Sequence, residues 1–101
     1  MTVVNLYDLA RDRFLAAEAA VEEAPESMAD DDFAELVTAR NQAARALAGT
    51  PAQSIDGIAT KLFALSRITS EREAGSYGDG ADVSMERSIR EDLGRLAPLP
   101  V

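Results

Sequence analysis

The sequence predicts an all-α fold of four mostly antiparallel helices, in which an Ala-rich N-terminal hairpin packs on a central third helix. Three observations carry this expectation. Ala, Leu, Glu and Arg, all strong helix formers, dominate the chain, and no stretch alternates Val, Ile and Thr as strands do. Apolar residues recur at three- and four-residue spacing in four separate stretches. The breakers Pro25, Gly49 and the glycines of 75–80 fall between those stretches. With 101 residues, 1–101 forms one domain.

The first helix is expected from Asn5 to Glu23, with Asn5 as its cap and Asp8 at the third position. Thr2 is an alternative start that would fold Val3 and Val4 into the first turn. Leu6, Ala10, Arg13, Phe14, Ala17, Ala20 and Val21 share one face, and Leu15 lies opposite. Ala24 to Ser27 make the turn. The second helix starts between Ser27 and Asp32 and ends at Gly49, where a C-cap glycine belongs. Its stripe is Phe33, Leu36, Val37, Arg40, Ala44 and Leu47. So short a connection between helices of similar length implies an antiparallel hairpin.

The third helix has the sharpest start signal: Thr50 as cap, Pro51 at the first helical position and Gln53 completing a capping box. Ile55, Ile58, Ala59, Leu62, Leu65, Ser66 and Thr69 then line one face, widened by Phe63 and Ile68, a surface broad enough to meet more than one helix. Gly57 and Ala64 occupy the remaining side, where small residues let another backbone approach. This helix runs to about Ala74, before a glycine-rich loop spanning Gly75 to Asp82. The fourth helix, capped by Asp82 or Ser84, turns Met85, Ile89, Asp92, Leu93 and Leu96 inward and stops before Pro98, leaving 98–101 as a loose tail.

Of the 47% hydrophobic residues, 19 are alanine, so the apolar count fills little volume and suggests thin helices completed by a second copy, a homodimer. Cys and His are both absent, which removes disulfides, thiolate metal sites and the commonest ligand and general base. Serines and Tyr77 therefore lack a histidine partner, and the one lysine, Lys61, falls off the main stripe of its helix. No catalysis and no cofactor or metal is expected. No leader-like or 18-residue apolar run occurs, so a cytoplasmic location is the default expectation. A net charge of −8 and a pI near 4.4 oppose direct binding to nucleic acid or to an anionic membrane and point to a basic protein partner.

The acidic run is the strongest surface feature. No basic residue separates Arg13 from Arg40, while Glu18, Glu22, Glu23, Glu26, Asp30, Asp31, Asp32 and Glu35 gather around the hairpin tip. From Glu22 onward these residues are the candidate partner-binding surface. Their other reading is that Asp30 to Asp32 complement the positive start of the second helix and the rest confer solubility. The three aspartates lack the alternate spacing and glycine of a calcium loop, and the AGSYGDGAD segment lacks the lysine of a phosphate loop.

Two further cations raise a pairing question. Arg13 and Arg40 lie in apolar stripes at about equal distance from the turn, so an antiparallel hairpin sets them level and they repel. Asp92, between Ile89, Leu93 and Leu96, is the candidate acceptor for one or both. Alternatively, both arginines lay their methylenes on the core and reach into water.

At TPAQSIDGIATKL and through to DLGRL, residues 50 to 97, the sequence resembles short uncharacterised helical proteins of alphaproteobacterial chromosomes and prophages. The shared features are Thr-Pro at a helix start, then Gly57, Ile58, Ala59 and Lys61, and an acidic residue before the last leucines. The resemblance implies a bacterial, phage-borne origin and no activity or site residue. The functional expectation is a small non-catalytic interaction module. The alternative is an acidic protein that imitates nucleic acid and inhibits a nuclease or an RNA-guided defence complex, in the manner of an anti-CRISPR.

Overall fold

A computed structural model describes residues 5–73 and 81–96. The alternative start at Thr2, the end of the third helix at Ala74, the Gly75 to Gly80 part of the loop and the 98–101 tail lie outside the described residues. Four helices follow in order, α1 (Leu6–Glu22), α2 (Asp30–Ala48), α3 (Ile55–Glu73) and α4 (Ala81–Leu96), so the fold is all-α. Asn5 caps α1, its side-chain oxygen accepting from the backbone N–H groups of Tyr7 and Asp8. α2 follows Ala29, which has no side chain to offer its first turn, and Asp30 to Asp32 act on the helix dipole without capping it. Gly49 ends α2 with φ −77°, so the left-handed freedom of glycine is not used there.

The start of α3 differs from the sequence expectation. Thr50 to Ser54 are not helical, and Thr50 Oγ1 donates back to Ala46 O, closing the end of α2. Ser54 starts α3 instead: its carbonyl accepts from Gly57 and Ile58, and its hydroxyl from Gly57 N at 3.4 Å. The reason is tertiary. Residues of α3 and α4 take the backbone groups of 50–52: Lys61 Nζ donates to Thr50 O, Asp92 accepts from Ala52 N, and Arg95 donates to Ala52 O. Thr50 N and Thr50 Oγ1, which a capping box would use, donate instead to Leu47 O and Ala46 O of α2.

The core joins Tyr7, Ala10 and Phe14 of α1 with Ala44 and Leu47 of α2, Ile58, Ala64 and Ile68 of α3, and Ala81, Met85 and Ile89 of α4. α1 and α3 run side by side in the same direction. Tyr7 Oη donates to Gly57 O, the Phe14 and Phe63 rings meet edge to face at 6.4 Å, and Arg67 Nε reaches Glu18 Oε1. α2 packs on α1, α3 and α4.

Two helices are rotated from the faces read in the sequence. In α1 the inward residues are Tyr7, Ala10, Phe14, Glu18 and Val21, and Leu6, Arg13 and Ala20 are exposed. In α3 the inward line is Gly57, Lys61, Ala64 and Ile68 with Ile58 beside it, and Ile55, Ala59, Leu62 and Ser66 face out. The face marked by small residues is thus the buried one. A Cβ on Gly57 would lie 2.8 Å from Ala52 Cβ and 3.1 Å from Tyr7 Cζ, so this close approach requires glycine.

Candidate functional site

The hairpin tip is built by the turn after α1 and the first turn of α2. Pro25 O accepts from Met28 N, which closes the turn and brings Met28 beside the start of α2. A cleft of about 300 Å³ opens there, lined by Ala24, Pro25, Glu26, Met28, Asp30 and Phe33. Phe33, expected in the core, is exposed and forms part of this cleft. Glu22, Glu23, Glu26, Asp30, Asp31, Asp32 and Glu35 are all exposed, and two of them, Glu26 and Asp30, line this cleft. Glu22 pairs with Arg67, whereas no ion pair among the described residues engages the other six. The tip is therefore an apolar notch edged by uncommitted carboxylates.

The eighth acid of the run behaves differently. Glu18 is buried, its Oε2 accepting from Arg40 Nη1 at 2.7 Å and its Oε1 from Arg67 Nε at 2.7 Å. This corrects the expected pairing of Arg13 and Arg40 with Asp92. Arg40 is fully buried, but its carboxylate comes from α1, one helix away. Arg13 is exposed, because α1 is turned so that Glu18 rather than Arg13 faces Arg40, and no repulsion between level cations arises.

Asp92 is buried, 2% exposed, and its cation is Lys61 of α3, fully buried and 2.5 Å away. Lys61 Nζ also donates to Ser88 Oγ at 2.7 Å and to Thr50 O at 2.9 Å. Its three ammonium protons thus have three acceptors. Asp92 Oδ1 in turn accepts from Ala52 N at 3.3 Å and from the Arg95 guanidinium. Serine beside lysine is also the arrangement of a nucleophile and its base. Here Lys61 Nζ contacts Ser88, Thr50 O and Asp92 together, so the cluster joins α3, α4 and the 50–52 segment.

Lys61, Ser88, Glu18, Arg67 and Arg95 were missed as interacting residues. The available signal was the spacing of Gly57, Lys61, Ala64 and Ile68, a lone charge on a line of small and apolar residues, together with Ser88 and Asp92 four apart beside Met85. Among the described residues no group of three or more acids could hold a metal ion, and no helix is long and apolar enough to cross a membrane. No family model, curated protein or solved structure matches the chain.

Proposed function

We propose that the chain is a small protein-interaction module, non-catalytic and working as a homodimer, that docks a basic protein segment at its hairpin tip. The observation that carries this reading is the notch of Met28 and Phe33, lined by the carboxylates Glu26 and Asp30 in a stretch of exposed acids. Carboxylates steer a basic partner and fix its register, and an apolar slot gives one anchoring side chain somewhere to desolvate. A pure imitation of phosphate rows has no use for the slot, which favours the module over the acidic-mimic alternative.

The test uses two synthetic basic peptides of equal charge, one carrying a central Leu or Phe and one without it, followed by fluorescence anisotropy at low and high salt. The anchored peptide is expected to bind more tightly and to keep most of its affinity as salt rises. Phe33→Ser should weaken it about tenfold, in line with loss of one buried anchor, and Asp30→Lys with Asp31→Lys and Asp32→Lys should weaken both peptides. Equal binding of the two peptides, lost steeply with salt, would overturn the notch reading in favour of the mimic.

A further inference from the structure

A second cleft, of about 230 Å³, lies between the end of α2 and the outer side of α4, remote in sequence from the hairpin tip. Arg45, Ala48 and Gly49 form one wall, and Ser84, Arg87, Ser88 and Glu91 form the other. In a chain of net charge −8 this spot holds two cations against one anion. Arg87 makes no ion pair among the described residues, and Arg45 stands opposite with a further interaction of its own.

Ser88 is the built part of the cleft. It is 6% exposed, and its Oγ accepts from Lys61 Nζ at 2.7 Å. Lys61 occupies a lone pair of that oxygen, and the hydroxyl donates no hydrogen bond among the described residues. A hydroxyl that accepts from an ammonium is a polarised donor, because hydrogen bonds in a chain strengthen one another. The end of α2 would oppose an anion through its carbonyl groups, yet Arg45 O, Ala46 O and Leu47 O already accept from Gly49 N, Thr50 Oγ1 and Thr50 N.

We propose that this cleft binds a small monovalent oxyanion, held by the Arg87 and Arg45 guanidiniums and by the Ser88 hydroxyl. Glu91 on the same wall sets a negative charge beside Arg87, so a singly charged group fits better than a dianion. Carboxylate and monobasic phosphate share this chemistry, and the volume admits either.

The test is a titration of the isotope-labelled protein with acetate and with inorganic phosphate, buffered so that phosphate is monobasic and held at constant ionic strength with chloride, read by amide shifts. Saturable shifts centred on Ser84, Arg87 and Ser88 are expected, and the anion that saturates at lower concentration identifies the source. Arg87→Ala should weaken binding about tenfold or more, as loss of a charge-assisted pair does. Ser88→Ala should weaken it severalfold. If that variant is poorly folded, Ser88→Cys, a weaker donor of similar size, should give the same direction. Arg90→Ala, an exposed cation on α4 that does not line the cleft, should change nothing. Shifts that never saturate, that chloride reproduces, or that Arg90→Ala reduces as much as Arg87→Ala would overturn the proposal.

Discussion

At the scale of residues, the molecule is organised by two buried ion pairs, Glu18 with Arg40 and Lys61 with Asp92. Burying four charges yields little net stability, because desolvation offsets most of the Coulomb gain, but removing one partner is costly. Asp92→Ala would leave the Lys61 ammonium fully buried without its counter-charge, and Ala52 N without its acceptor. A loss of roughly 3 to 5 kcal/mol is expected, read as a lower urea midpoint at unchanged slope. Replacing both members by Met and Leu, which often restores stability elsewhere, should restore it only in part. Thr50 O, Ser88 Oγ and Ala52 N would still have lost their partners. The burial of Asp92 was legible in the sequence, since its apolar neighbours Ile89 and Leu96 surround it on a helical stripe. The identity of its cation was not, because that depended on how α3 is rotated about its own axis.

That rotation belongs to the scale of elements, where helix existence was legible and orientation was not. The Asn5 cap and the breakers at Pro25 and Gly49 act locally, so the chain segment alone determines them. The facing of α3 is decided by packing. Its large residues Ile55 and Leu62 point outward, while Gly57 and Ala64 permit the close contacts that the other helices need. The Thr-Pro start failed for a related reason, since the end of α2 takes the Thr50 N–H and hydroxyl while α3 and α4 hold Thr50 O and both backbone groups of Ala52. Gly57→Ala separates the two facings of α3 by the sign of its effect. On an outward or loosely packed face, alanine would gain about 1 kcal/mol of helix propensity. With Ala52 Cβ 2.8 Å from the new methyl and the Tyr7 ring next to it, overpacking of about 1 to 3 kcal/mol should exceed that gain. Thermal unfolding should therefore show a lower midpoint for Gly57→Ala, and the hydrogen bond from Tyr7 to Gly57 O should be the first contact disturbed.

At the scale of the whole molecule, the homodimer proposed above would join through the outward face of α3. Ile55, Ala59, Leu62 and Ser66 succeed one another at helical spacing, all exposed and none charged, in a chain that is otherwise strongly acidic. The Cα atoms span only 17 Å along the shortest axis, so the core is thin and leaves large side chains such as Leu62 half uncovered. A second copy suits this face because two like-charged chains can meet only where each lacks charge. The direction of α3 supports the same choice. Tyr7 lies level with Gly57 and Glu18 with Arg67, which places the acidic tip beyond the far end of α3 from Ile55. From Ala59 to Glu73 the helix rises about 20 Å, more than twice the screening length of about 8 Å at physiological salt. Two copies joined through Ile55, Ala59 and Leu62 therefore keep their acidic tips apart and open to partners. Sedimentation at tens of micromolar should show a dimer for the native chain. Leu62→Glu should sediment as a monomer with unchanged helical signal, since the half-exposed side chain contributes little to the core, while charge repulsion at a two-fold contact acts on both copies at once. Asp31→Lys, at the tip, should leave the dimer intact. A native chain that sediments as a monomer would show that α3 does not bind its own copy.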